Sequence, residues 1–357
     1  MNRLRVLVAD DSPAARTLIR GILEADPDLE VVGQATDGVE AVTLAGRLAP
    51  DVITMDVDMP GVDGLEATRR IMASAPRPIV LVSGVFPPDL DNSFRALEAG
   101  AVTLLGKPEG PGSPAFIREA AELVATVKLM AGVRLVRRSL RPRADAPTLE
   151  PAVPAGQGGG ALRVVAVAAS TGGPPAVAAI LRGLPADWPV PVLVVQHIGA
   201  GFDTGLVRYL DDCTPLPVLL AEDRRPLREA GVHVCPADHH LGVTAGECLS
   251  VTGGGPIDGY RPSANHLFRT VAGVFGAGAA GVVLTGMGRD GADGLLALRR
   301  AGGLTVAQDQ PTSVVYGMPR QAVVRGAAEA VLPIGAIAAA LAARGAGRPG
   351  RGGAVVS

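Results

Sequence analysis

At 357 residues, 48% hydrophobic, 19% charged and with a formal net charge of −2, the chain fits two or three soluble globular domains and lacks the strong basicity of a DNA-binding protein. Three cysteines (Cys213, Cys235, Cys248) form no C-x-x-C pair and leave an odd count, the usage of reduced thiols, so a cytoplasmic location is expected. No apolar run reaches the ~18 residues of a membrane span, and the stretch before Asp10 is too short for a signal peptide, so no membrane insertion is expected.

In chain order, Leu4 to Ala9 is an apolar run that stops at Asp10-Asp11, and Asp51 to Met55 runs into Asp56. Ile79 to Val82 ends at Ser83, and Ala101 to Gly106 ends at Lys107-Pro108. Short apolar runs separated by helical patterns read as buried parallel strands. Open parallel sheets put their chemistry at the carboxyl ends of those strands. Three carboxylates, one hydroxyl and one ammonium are therefore expected on one sheet edge. Lys107 stands out because it and Lys128 are the only lysines among 33 basic residues. An ammonium is a compact point charge where arginine is a planar fork.

A helix is expected from about Pro114. Residues 1–120 hold 11 basic and 18 acidic side chains, whereas residues 128–162 hold 6 basic and 2 acidic. The latter stretch also collects Pro142, Pro147, Pro151, Pro154 and the run Gly156 to Gly160, a linker composition. The expected division is a first domain over 1–125, a basic Pro/Gly-rich linker over 126–161, a second domain over 162–345 and a disordered tail over 346–357. Arg134, Arg137, Arg138, Arg141 and Arg143 read as a solvated linker face, with docking onto the acidic tails of a partner as the functional alternative. No nucleic-acid partner is expected, since no helix-turn-helix output accompanies them.

Segment 1–125 resembles a response-regulator receiver domain, on the acidic pair after strand one, Asp56 after strand three, Ser83 after strand four and Lys107-Pro108 after strand five. Asp56-Val57-Asp58-Met59-Pro60-Gly61-Val62-Asp63-Gly64 is close to that family's segment after the phospho-acceptor. The resemblance implies a flavodoxin-like five-stranded parallel sheet, phosphorylation of Asp56, Mg²⁺ held by Asp10, Asp11 and Asp56, and a switch involving Ser83 and Lys107. The chemistry agrees: Mg²⁺ takes carboxylate and phosphate oxygens, and a lysine and a hydroxyl suit a phosphoryl group. Leu104 departs from the family, which usually carries an aromatic there. The rival D-x-D phosphatase pattern at Asp56-Val57-Asp58 needs a late acidic pair, and strand five ends instead in Lys107-Pro108.

In the second domain, Arg163 to Ala169 is a strand running into Ser170-Thr171-Gly172-Gly173-Pro174, a Gly-rich turn that opens a helix. Free backbone N–H groups there suit an anionic oxygen. A dinucleotide fingerprint and a P-loop both fail, since no acidic residue follows at the right strand and no lysine is present in this domain. The next strand, Val190 to Gln196, ends in His197, which is suited to act as a general base toward Ser170. Asp290, in the turn after Val283-Leu284, is the candidate to orient the imidazole. Ala330 to Ala343 reads as a C-terminal helix. His233, Cys235, His239 and His240 cluster in sequence but lack the paired spacing of a zinc site, so no cofactor is expected in this domain.

Residues 162 to about 340 resemble the catalytic domain of the chemotaxis protein-glutamate methylesterases. The resemblance rests on Ala169-Ser170-Thr171-Gly172-Gly173, Gln196-His197, Arg261-Pro262-Ser263 with Leu267-Phe268-Arg269, Thr285-Gly286-Met287-Gly288 with Asp290-Gly291, Ala307-Gln308 and Gly317-Met318-Pro319-Arg320. It implies a doubly wound, mainly parallel α/β hydrolytic domain that cleaves glutamate γ-methyl esters on methyl-accepting chemotaxis receptors and deamidates glutamines. It makes Ser170 the nucleophile, His197 the base and Asp290 the orienting acid, with lesser supporting roles at Thr171 and Met287. A chemotaxis histidine kinase would be the phosphodonor, and the unphosphorylated receiver would inhibit the esterase. Ala168, where the family usually has glycine, and Asn265-His266, where it commonly has Val-Asp, are departures that remove no catalytic group.

Overall fold

The computed structural model describes residues 3–84, 94–97, 99–101, 103–132, 161–227 and 230–345. The expected linker arginines and the tail over 346–357 lie outside the described residues. The chain divides into two compact units, Met1–Thr148 and Leu149–Ser357. Among the described residues no helix is long and apolar enough to cross a membrane.

The first unit alternates strand and helix: β1 (Leu4–Ala9), α1 (Pro13–Glu24), β2 (Leu29–Ala35), α2 (Gly38–Leu48), β3 (Val52–Met55), α3 (Gly64–Ser74), β4 (Ile79–Ser83), β5 (Thr103–Gly106) and α4 (Phe116–Ala131). The sheet is parallel, in the order β2-β1-β3-β4-β5. Three of the turns out of the sheet begin their helices with a side-chain cap. Ser12 Oγ, Asp37 Oδ1 and Asp63 Oδ1 accept the N–H groups of Ala15, Glu40 and Glu66, satisfying amides that a helix start leaves open. The α4 helix runs past the boundary expected at 125/126. Its buried face continues through Leu123, Val127 and Met130, and Lys128 Nζ pairs with Asp26 and Asp28 at 3.1 and 2.6 Å. The basic charge that marked a linker in the sequence here neutralises an acidic turn.

The second unit begins with β6 (Val164–Ala169), α5 (Gly173–Gly183), β7 (Val192–Gln196), α6 (Asp203–Cys213), β8 (Val218–Leu220) and β9 (Val232–Val234). The hairpin β10 (His240–Val243) and β11 (Leu249–Thr252) follows, then α7 (Ala264–Phe275), β12 (Ala279–Val283), α8 (Ala292–Arg300), β13 (Leu304–Gln308), α9 (Met318–Val324), β14 (Ala330–Leu332) and α10 (Ile334–Gly345). Seven strands form one parallel sheet in the order β14-β13-β12-β6-β7-β9-β8. Strand order reverses between β6 and β12, the place where open α/β sheets form their crevice. Both central strands are wholly buried runs of Val, Ala and Gly, small enough for helices to pack closely on either face. The first three residues expected as C-terminal helix form β14 instead. Ala330 and Leu332 face inward with Val331 outward, pairing with Val306 and Gln308 of β13, and Pro333 separates this edge strand from α10.

Candidate functional site

In the first unit the carboxyl ends of β1, β3 and β5 converge. Lys107 Nζ lies 2.7 Å from Asp56 Oδ2 and 2.9 Å from Asp10 Oδ2. Asp10 and Asp56 are buried and Asp11 is exposed, with one oxygen of each carboxylate within 4.8 Å of the others. Asp10 Oδ2 makes no well-aligned hydrogen bond, so Lys107 holds it by charge. Burial pushes the Asp56 carboxyl up to about 6 against the pull of Lys107. Burial also works against the Lys107 cation, but its contacts with Asp56 and Asp10 outweigh that and raise its pKa. Ser83 Oγ is buried and has no hydrogen-bond partner among the described residues. An all-oxygen cluster is the donor set a hard divalent cation takes, and an unpartnered hydroxyl beside it fits an added anionic oxygen. Gly64 is required by closeness: a Cβ there would stand 2.0 Å from the Asp56 carbonyl oxygen. Leu104 lies in β5 opposite Leu81 and is only partly buried.

In the second unit Ser170, His197 and Asp290 follow β6, β7 and β12, three adjacent strands at the order reversal. Backbone bonds between neighbours lock the strand ends: His197 N–H donates to Ala169 O at 2.9 Å, and Ser170 N–H donates to Thr285 O at 3.1 Å. Gln196 Nε2 bridges the carbonyls of Ser170 and His197 at 2.8 and 2.9 Å. A Cβ at Gly286 would lie 2.6 Å from Ser170 Cβ, and one at Gly173 would lie 2.0 Å from Gln196 Oε1. The N–H groups of Thr171 and Gly172 find no protein acceptor among the described residues. Met287 stands at the rim, 43% exposed, a large apolar side chain left to solvent beside the Gly286 turn.

His197 Nε2 lies 3.0 Å from Asp290 Oδ2, a hydrogen-bonding contact across 93 residues. Asp290 is fully buried. Its Oδ1 accepts from Ser263 Oγ, Asn265 N–H and Gly291 N–H at 3.2, 2.9 and 2.9 Å. Its Oδ2 also accepts from Ala264 N–H at 2.6 Å. The α7 helix thus turns its first amides onto the carboxylate, where a helix start favours negative charge. Burial alone would raise the Asp290 pKa, but the His197 contact and those amides hold it below the usual 3.8. Neither the meeting of this helix start with Asp290 nor Tyr260, whose ring stacks on His197, is apparent from motif spacing. Ser263 before an apolar helical run signals the cap, though not the carboxylate it serves.

The histidine-cysteine group does not form a metal cluster among the described residues. His240 Nε2 lies 3.0 Å from Gly255 O, and His240 Nδ1 accepts from Ser263 N–H at 3.2 Å. His239 Nδ1 lies 2.9 Å from Ala237 O. Burial, with the nearby His240 and Arg269, lowers the His266 pKa.

Comparison with known families finds the response regulator receiver domain over residues 6–113 and the CheB methylesterase domain over residues 165–341. A protein-glutamate methylesterase/protein-glutamine glutaminase of Anaeromyxobacter dehalogenans is 54% identical over 342 residues, 95% of this chain and 98% of that protein. A protein of the same description from Myxococcus xanthus is 50% identical over 318 residues, 88% of this chain and 90% of its own length. The crystal structure of the Thermotoga maritima CheB methylesterase catalytic domain is 34% identical, covering 51% of this chain and 98% of that one with a TM-score of 0.49.

Proposed function

Because this chain belongs to the protein-glutamate methylesterase/protein-glutamine glutaminase family, a carboxylic ester hydrolase domain joined to a receiver, we propose that it hydrolyses glutamate γ-methyl esters on methyl-accepting chemotaxis receptors under control of Asp56 phosphorylation. The observation that carries the chemistry is the buried Asp290 carboxylate 3.0 Å from His197, with Ser170 at the neighbouring strand end.

His197 Nε2 is committed to Asp290, so Nδ1 is the nitrogen left to take the Ser170 proton. The serine Oγ attacks the ester carbonyl, and the N–H groups of Thr171 and Gly172 supply donors for the oxyanion. His197 then protonates the leaving methoxide, methanol departs, and a glutamyl-serine ester remains. Water, deprotonated by the same imidazole, releases glutamate and restores the serine. A glutamine amide follows the same course with ammonia leaving. Asp290 holds the tautomer and balances the imidazolium that forms in each half. Met287 offers its apolar side chain to the substrate at the rim.

In the receiver, Asp56 takes the phosphoryl group from a chemotaxis histidine kinase. Asp10, Asp11 and Asp56 would hold Mg²⁺, which when bound offsets the negative charge gathered there. Lys107 pairs with the phosphoryl oxygens, and Ser83 donates the hydrogen bond its hydroxyl otherwise lacks. The receiver restrains the esterase until then. Ser170→Ala in the full-length chain tests the reading directly: methanol release from methylated receptor membranes is expected to vanish, and retained release overturns it.

A further inference from the structure

Tyr260 follows none of the three strand ends, yet its ring lies nearly flat on the His197 imidazole, with centroids 5.1 Å apart and an interplanar angle of 15°. The backbone is built to put it there. Asp258 and Gly259 take positive φ angles of 54° and 87°. Ile257 and Tyr260 exchange two backbone hydrogen bonds of 3.0 Å. The chain therefore reverses over two residues, a turn in which Asp-Gly is favoured. Neighbours fix this turn from several sides. Asn265 Nδ2 donates to Asp258 Oδ2 at 3.3 Å, and Arg261 donates to Gly254 O at 3.1 Å and to Asp238 Oδ1 at 3.0 Å. Gly288, at a φ of 93°, leaves the space the phenol occupies, for a Cβ there would stand 2.4 Å from Tyr260 Oη. That oxygen accepts the Arg289 N–H at 3.4 Å, one residue before the acid.

We propose that Tyr260 is a positioning residue for the general base, fixing the plane of the His197 imidazole and favouring its cationic form during turnover. The proposal rests on the Ser-His-Asp reading above. An imidazole held at Nε2 alone still pivots about that bond, which swings Nδ1 away from the serine. A flat aromatic neighbour blocks the pivot, and its electron-rich face attracts the imidazolium. Both effects act on turnover, because the hydrogen bonds of the reaction lie in the imidazole plane and the tyrosine lies against its face.

The test compares full-length Tyr260→Leu, Tyr260→Phe and Tyr260→Trp on receptor membranes methylated with tritiated methyl groups, with a phosphodonor present. The leucine variant is expected to lose roughly 10- to 50-fold in kcat with KM within about twofold, while phenylalanine keeps at least about a third of kcat and tryptophan exceeds leucine. The His197 ring protons, assigned with His197→Gln, are expected upfield in the wild type and the phenylalanine variant but not in the leucine variant. A leucine variant with unchanged kcat overturns the proposal, as does a rise in KM alone, a rise in kcat or failure of phenylalanine to restore turnover. Ser170→Ala in the same series keeps the two readings separate: retained activity there refutes the triad, whereas a dead Ser170→Ala beside a fully active leucine variant refutes only the stack.

Discussion

Asp290→Asn puts the esterase reading at greatest risk, because the structure dictates which way the new amide must face. Three donors converge on Oδ1 (Ser263 Oγ, Asn265 N–H and Gly291 N–H), so the amide oxygen takes that position. The NH₂ group then replaces Oδ2, opposite the Ala264 N–H at 2.6 Å and His197 Nε2 at 3.0 Å. Two consequences follow with separate readouts. The NH₂ donates to Nε2, which forces the imidazole proton onto Nδ1 and removes the lone pair that would take the serine proton. A wrong tautomer of this kind lowers kcat about 10⁴-fold in serine hydrolases, or about 5 kcal/mol in the barrier. Meanwhile the buried Ala264 N–H loses its acceptor, at about 1–3 kcal/mol. For a unit of this size about 2 kcal/mol lowers Tm by roughly 4–8 °C. The assay is methanol release by the full-length chain under single-turnover conditions, with calorimetry on the same sample. The stability gap has its own pH signature. Asp290 is depressed below its ordinary 3.8, so its contribution is complete above that pH and is lost as pH falls through the folded-state value. Wild type and variant should therefore converge in Tm only below about pH 3.8. An asparagine variant that keeps more than a tenth of kcat refutes the tautomer argument.

Gly286→Ala places a methyl 2.6 Å from both Ser170 Cβ and Met318 Sδ, and is expected to cut kcat at least ~100-fold by displacing the nucleophile; near-normal turnover would show the serine is not held there. Asp56→Asn should abolish stimulation by a small-molecule phosphodonor in Mg²⁺ while leaving basal methanol release measurable, and persisting stimulation would place the phosphoryl group elsewhere. Ser83→Ala separates stability from signalling. Its buried hydroxyl has no partner among the described residues, so alanine is expected to leave receiver stability unchanged or raise it by up to ~1–2 kcal/mol, while phosphorylated Asp56 forms more slowly; a clear loss of stability would reveal a partner for Ser83.

The strand ends were readable because a buried parallel strand is a continuous apolar run that stops where the sheet meets solvent, and Asp56, Lys107, Ser170 and His197 mark those stops. Elements that depend on a remote partner were not. Leu29–Ala35 interrupts its apolar residues with Glu30, Gly33 and Gln34, as an edge strand with a half-buried pattern can. Ala330–Leu332 is indistinguishable in composition from the helix after it until β13 supplies a pairing edge. From sequence Lys128 reads as the start of a basic linker, since nothing local reveals Asp26 and Asp28 opposite it. Tyr260 sits in a Gly-rich reverse turn that reads as solvent-facing, and its stack on His197 exists only through the fold. The same holds for the amides at Ala264 and Asn265, whose helix start is legible while the carboxylate it embraces is not.

The place of β12 in the sheet also orders events during synthesis. Residues 279–283 pair beside β6, although the chain first builds β7, β8, β9 and a hairpin. A growing polypeptide thus presents Ser170 and His197 long before Asp290 emerges, with one flank of β6 bare. On the proposed Ser-His-Asp reading, hydrolytic competence arrives late, when the acid and its neighbouring strand dock together. Chains cut short before Asp290 carry the serine without the proposed acid, so such truncations are expected to yield fragments without esterase activity.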